Sequence, residues 1–292
     1  MIHLAAPAKL NLHLRVLGLR TDGYHAIESL FVRLSLCDDV EIDLGTDGIQ
    51  FVASGDVSVP ENADNLCVAA AVSFFEEIDR VPAASIRLTK RIPVAAGLGG
   101  GSSDAASVLL GLNKLLGAPL DLAALIRVAS RVGSDVPFFL LESPFALVRG
   151  RGEDLSPLAP PMSRPLLIIV PDYGVSAGDA YTWRRAGAER DRMIETAALS
   201  DWSAIAQMST NDLAPGVFER HPALSAASDA LTGTGAFMSL LCGSGACVAG
   251  IYENAAARDA GLELLRADPA ILPGWRVVST WTVGPGAPEV PG

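Results

Sequence analysis

The segment with the most chemical content is Pro93-Val94-Ala95-Ala96-Gly97-Leu98-Gly99-Gly100-Gly101-Ser102-Ser103-Asp104, between a stretch of strand character and a run of helix-forming residues. At such a junction the unpaired amides of a helix's first turn converge with the positive end of its dipole and make an anion cradle. Successive glycines let the backbone approach a phosphate where a Cβ would intrude, and Ser102 and Ser103 offer hydroxyls to a phosphate oxygen or to Mg2+. A flexible connector is the competing reading, but connectors seldom lead straight into a long apolar helix with a serine at its cap. A P-loop of the form G-x-x-x-x-G-K-[ST] is excluded, because no lysine precedes the serine. A dinucleotide fingerprint is a weak match: Ser102 stands where its third glycine belongs, and Asp121, at the distance of a ribose-binding acid, reads as a helix cap. Cys242-Gly243-Ser244-Gly245-Ala246 reads equally well as a tight turn or a ligand contact.

Lys9 and Asp135 are the ionisable residues that could work with such a cradle. Taken singly, a lysine on a strand is usually on a solvated face, and an aspartate after Gly133-Ser134 is usually a turn or cap. Tyr24 and His25, beside Gly23, have the same ordinary explanation, and His3 and His13 read as structural.

These residues must be positioned by a mixed set of elements. Lys9, Asn11, His13 and Arg15 alternate with Leu10, Leu12, Leu14 and Val16, which predicts a half-buried strand with Lys9, Asn11 and His13 on one face. Thr21-Asp22-Gly23 reads as a turn, and 27–36, 40–44, 49–53 and 85–89 as strands. Helices are predicted over 65–78, capped by Asp64, over 105–116, and over 122–132, capped by Asp121 and ended by Gly133. The polar, proline-bearing stretch 150–165 is the expected domain boundary. Beyond it, 166–170, 246–252 and 275–281 read as strands, and 177–187, 188–199, 222–231 and 255–265 as helices.

The chain has 292 residues, half of them apolar, enough for one large core or two ordinary ones. Its 22 Lys and Arg against 33 Asp and Glu give a net charge of −11, which argues against nucleic acid or an anionic membrane surface as a partner. An anionic ligand must therefore be met by locally concentrated donors. Cys37, Cys67, Cys242 and Cys247 form no C-x-x-C pair, and those flanking the glycine turn read as small buried side chains rather than zinc ligands. Met1-Ile2-His3 does not open a secretory signal and no apolar run reaches the ~20 residues of a membrane span, so the expectation is a cytoplasmic protein.

Several separated segments together resemble the GHMP small-molecule kinases: Pro7-Ala8-Lys9-Leu10-Asn11-Leu12, Asp22-Gly23-Tyr24-His25, Pro93–Ala106 and Gly133-Ser134-Asp135-Val136-Pro137-Phe138. The first two set this chain apart within that family and resemble the branch acting on a cytidylyl-linked sugar alcohol. The resemblance implies an α/β (α+β) fold of two domains, 1–155 and 156–292, with the active site in the cleft between them. It implies ATP and Mg2+ as cofactors, a monomer or homodimer, and transfer of the γ-phosphoryl group to the 2-hydroxyl of 4-(cytidine 5′-diphospho)-2-C-methyl-D-erythritol. By the same resemblance Pro93, Val94, Ala95, Ala96, Gly97, Leu98, Gly99, Gly100, Gly101, Ser102 and Ser103 form the ATP loop. Lys9 and Asp135 are the catalytic pair, and Asn11, Tyr24 and His25 belong to the substrate pocket. Tyr181 is the expected second aromatic wall, although Val175–Tyr181 departs from the V-S-T-P pattern of the family. Homoserine- or mevalonate-type kinases, a non-catalytic ligand sensor on the same scaffold and, more distantly, an NAD-dependent oxidoreductase are the alternatives.

Overall fold

Two long strands, β1 (Ile2–Leu19) and β2 (His25–Leu44), form an antiparallel ribbon that organises the N-terminal half. The computed structural model describes residues 1–21, 23–45, 47–55, 59–60, 64–184, 194, 199, 201–267 and 274–288. Along its other edge β2 pairs with β5 (Phe145–Gly150) through Ile27–Val32 and with β4 (Ala83–Lys90) through Asp39–Leu44. β3 (Gly48–Gly55) joins β4 in parallel, and β6 (Asp154–Pro157) joins β5, so the expected domain boundary at 155 falls inside a strand of this sheet. The sequence predicts a break in β2 at Cys37-Asp38-Asp39, yet the strand continues, because the buried Asp38 carboxylate accepts from Arg91 N, Ile92 N and Lys90 Nζ.

One face of the sheet is covered by α1 (Leu66–Glu77), α2 (Gly100–Leu115), α3 (Leu122–Val132) and α4 (Val136–Phe139), around a core that includes Phe31, Ile42, Phe74 and Leu109. The other face packs on a second, antiparallel sheet, β7 (Pro165–Val170), β8 (Met238–Leu241), β9 (Val248–Ile251) and β10 (Arg276–Trp281), in the order β10-β7-β9-β8. Leu10, Leu12 and Leu30 meet Ile168 and Leu240 there. Beyond this sheet lie α7 (Ala214–Arg220), α8 (Pro222–Gly233) and α9 (Ala255–Ala267), while α5 (Ala177–Thr182) and α6 (Trp202–Met208) flank the join.

β1 is thus sandwiched between layers, and its alternation does not mark a solvated face: Lys9, Asn11 and His13 are all buried. Bulges shift its register between Pro7 and Lys9 and between Asn11 and His13. The second bulge breaks the period of two, so His13 Nδ1 pairs with Met208 O at the end of α6 instead of following Lys9 and Asn11.

The predicted helices 105–116 and 65–78 differ in their caps. α2 begins at Gly100 with left-handed Gly99 (φ 70°) at its N-cap, so the serines sit inside the first turn. α1 is capped by Asn65, whose side chain accepts from Cys67 N at 2.9 Å, and not by Asp64. Asp121 caps α3 as expected. Of the helices predicted over 177–187 and 188–199, α5 accounts for the start; 185–193 and 195–198 lie outside the described residues. Among the described residues no helix is long and apolar enough to cross a membrane.

Candidate active site

A cavity of about 760 Å³ opens beside the β1–β2 ribbon, walled by the glycine loop, the 134–135 turn, α5 and the 243–244 turn, and Lys9, Asn11, Tyr24, His25, Asp135 and Tyr181 all line it. Lys9 reaches it from β1, where its amide donates to Leu98 O at 2.8 Å and so fastens the glycine loop to the strand. Its ammonium donates to Asn11 Oδ1 at 2.6 Å, stands 3.4 Å from Asp135 Oδ2 and lies 4.9 Å over the Phe31 ring. Asn11 in turn donates to Ser29 Oγ at 2.9 Å, and Ser29 Oγ to His13 O at 2.5 Å, so both ends of the amide are fixed. Asp135 occupies the N-cap position of α4 but makes no side-chain cap bond, which leaves its carboxylate directed at Lys9. The far end opens on rings: His25 stacks on Tyr181 with centroids 4.9 Å apart, and Arg151 lies 4.6 Å over Tyr24. Burial, with the nearby Asp135 charge, pushes the Tyr181 hydroxyl up to about 12, so it remains a neutral donor near pH 7.

The glycine loop separates this cavity from a second one of about 330 Å³, lined by Pro93–Ser102 together with Asn65, Lys90 and Asp104. Gly97, Gly99 and Ser102 face both spaces. Ser103 N makes the first bond of α2, to Gly99 O at 2.9 Å, so the amides of Gly100, Gly101 and Ser102 precede the helical ladder. Ser103 itself is turned into the core, and its buried hydroxyl has no partner among the described residues. The other glycine-rich piece is both a turn and a wall. Cys242 N donates to Cys247 O between β8 and β9, Gly243 and Ser244 line the larger cavity, and a Cβ on Gly97 would lie 1.7 Å from Cys242 O. Free amides, close glycines and a helix start suit a polyphosphate. Among the described residues no group of three or more His, Cys, Asp or Glu could hold a metal, so Mg2+ would depend on phosphate oxygens for most of its ligands.

Models of the GHMP kinases N terminal domain and the GHMP kinases C terminal domain match residues 65–143 and 193–268. A 4-diphosphocytidyl-2-C-methyl-D-erythritol kinase of Citrifermentans bemidjiense is 37% identical over 284 residues, covering 97% of this chain and 99% of its own. The chain belongs to this family of GHMP kinases. A second relative of that name, from Methylacidiphilum infernorum, is 48% identical over 177 residues, 60% of this chain and 61% of its own. A solved 4-(cytidine 5′-diphospho)-2C-methyl-D-erythritol kinase superimposes with a TM-score of 0.79 at 34% identity, over 97% of this chain and 100% of its own. A homoserine kinase from Cytophaga hutchinsonii, at 19% identity and a TM-score of 0.73 over 98% of this chain and 95% of its own, shares the fold.

Sequence reasoning passed over three groups that support the site of this kinase. Lys90, at the end of β4, is buried between Asp38 and Asp104, 2.8 Å from the Asp104 carboxylate. Burial drives Asp104 up to about 7 against the pull of Lys90, while the two carboxylates hold Lys90 above its usual range despite its own burial. Arg33 Nη2 donates to Phe138 O, Phe139 O and Leu141 O and ties down the end of α4, whose start carries Asp135; burial lowers its pKa to about 10. Arg151, in the turn after β5, lines the larger cavity. The signal for Lys90 was a lysine extending the inward phase of the 85–89 strand; for Arg33 and Arg151, one cation among apolar residues is too common a pattern to single out.

Proposed function

We propose that this kinase transfers the γ-phosphoryl group of ATP to the 2-hydroxyl of 4-(cytidine 5′-diphospho)-2-C-methyl-D-erythritol, a cytoplasmic step toward isoprenoid precursors. The observation that carries the reading is the Lys9–Asp135 pair at 3.4 Å, set directly against the glycine loop at one end of a cavity whose other end is aromatic. Phosphoryl transfer asks chiefly for alignment and for neutralisation of charge on the phosphate oxygens. Residues 93–102 and the first amides of α2 would hold the triphosphate, with Ser103, whose hydroxyl is turned into the core, behind them. Mg2+, when bound, supplies further neutralisation of the β- and γ-oxygens. Asp135 accepts the hydroxyl proton or fixes its direction, and Lys9, itself oriented by Asn11, orients Asp135. Because both ends of the Asn11 amide are engaged, its part in the substrate pocket is chiefly to set Lys9. Tyr24, His25 and Tyr181 enclose the pyrimidine, with a ring face for stacking and an imidazole for its polar edge. The division into an ATP-binding unit and a C-terminal unit, expected at 155, belongs to the same proposal with its boundary moved past β6, which pairs with β5 in the first sheet through Pro157.

A panel of acceptors with terminally labelled ATP tests this. Label is expected on the cytidylyl substrate and not on homoserine or mevalonate. Transfer to either of those alone would assign the chain to another GHMP activity, and binding without transfer to any acceptor would make it a sensor.

A further inference from the structure

We propose that Arg151 anchors the diphosphate bridge of the acceptor substrate; the assignment rests on the cytidylyl reading of the larger cavity and adds a specificity-determining cation to it. The reaction brings two polyanions into a protein of net charge −11. The glycine loop and the start of α2 can serve one of them, the nucleotide triphosphate. Among the charged side chains lining the larger cavity, Lys9 is balanced by Asp135 at 3.4 Å. Arg151 makes no ion pair with any described residue, although its neighbours do: Arg149 with Glu28 at 3.1 Å and Arg20 with Glu153 at 3.5 Å. Its guanidinium spends one donor on Ser130 O at 2.8 Å, which leaves most of a five-donor fork for an oxyanion.

The turn that carries Arg151 is fixed to the reacting end of the cavity. Gly152 (φ 134°) packs so closely on the residue before Asp135 that a Cβ there would meet Ser134 O at 2.1 Å. Gly150 (φ 71°) closes the other side of the same turn. Arg151 therefore stands between Tyr24, which it covers at 4.6 Å, and the Ser134-Asp135 backbone. In a substrate whose base lies among the rings and whose acceptor hydroxyl lies at Asp135, the diphosphate is the part between them. A bidentate arginine suits that group better than a lysine would.

The competing role for Arg151 is mechanical, holding the Tyr24 ring by its stacking contact, and the two separate by ligand. Calorimetric binding of cytidine, CMP and CDP is compared for the wild-type kinase, R151Q and R151M. Loss of a charge-assisted anchor weakens CDP by about ten- to a hundredfold while cytidine stays within about twofold of wild type. CMP falls between them, and the substrate KM rises with no change in the KM for ATP. Equal weakening of all three ligands assigns Arg151 to Tyr24 and overturns the proposal, as does unchanged CDP binding. R151M keeps an unbranched stem against the ring and decides by the same comparison if R151Q does not fold. Failure of the wild-type kinase to bind cytidine or CDP at all would instead overturn the cytidylyl reading, and this proposal with it.

Discussion

Gly97→Ala adds a single methyl where two glycine turns meet. At φ +75° any side chain stands in the left-handed region, which costs about 1–2 kcal/mol. The new Cβ would also lie 1.7 Å from Cys242 O and 2.6 Å from its carbonyl carbon, so the turns must separate by more than an ångström. Neither yields freely, because Cys242 O accepts from Gly245 N at 2.8 Å and Asn211 Nδ2 holds Leu241 O and Gly243 O at 3.0 and 2.7 Å. Losing one or two of these bonds adds about 0.5–1.5 kcal/mol each, for roughly 1.5–5 kcal/mol in all. In a protein of this size that lowers Tm by roughly 3–20 °C, and displacement of the loop weakens ATP binding. Two other glycines calibrate the result. Gly117→Ala (φ +82°, open space around the Cβ) carries the left-handed term alone, about 1–2 kcal/mol. Gly101→Ala has no positive φ and meets only Leu66 Cδ1 at 3.6 Å, so its Tm is unchanged or slightly raised. Thermal unfolding of the three variants, with calorimetry of ATP on each, gives the ranking. A G97A protein that melts with G101A and binds ATP normally would refute the close packing of the two turns.

Asp135→Ala lowers kcat by orders of magnitude with little change in ATP affinity, measured by steady-state kinetics beside nucleotide calorimetry; near-normal turnover removes Asp135 from the chemistry. Asn11→Leu deprives the buried Lys9 ammonium of its acceptor at 2.6 Å and lowers kcat about tenfold or more, whereas an effect confined to the substrate KM would make Asn11 a substrate contact instead. Asp104, raised to about 7 from its ordinary 3.8, keeps a proton in the folded state that the unfolded chain has released. Its contribution to stability is therefore complete below pH 3.8 and is lost as pH rises through about 7, at up to ~1.4 kcal/mol per pH unit between. Asp104→Asn flattens that slope in urea titrations at pH 5 and 7.5, and an unchanged slope would show that another group carries the proton.

The sequence made the ingredients of the site legible, but not their burial. A glycine run entering a helix announces an anion cradle by local geometry alone, and α2 starts there, with Gly99 in place of a serine as its cap. Lys9 and Asn11 could be put on one face of a strand by counting in twos. The bulge that diverts His13, and the second sheet that buries the whole strand, depend on contacts with residues some two hundred positions away. Asp38 looked like a break in β2 for a similar reason, since the donors that satisfy it come from residues 90–92. Short elements with both ends fixed by tertiary contacts, such as β6, β8 and α7, carry too few periodic residues to be read in advance. Asp135 had ordinary odds as a helix cap, and it does occupy a cap position; what distinguishes it is that it leaves that bond unmade and faces Lys9 instead.

A ternary crystal structure with a non-hydrolysable ATP analogue and the cytidylyl substrate tests the central geometry most directly. The acceptor hydroxyl is expected within about 2.6–3.2 Å of an Asp135 oxygen, in line with the terminal phosphorus, and the triphosphate on the amides at the start of α2. A terminal phosphate on the other side of the glycine loop from Asp135, with the hydroxyl beyond reach of its carboxylate, would contradict it.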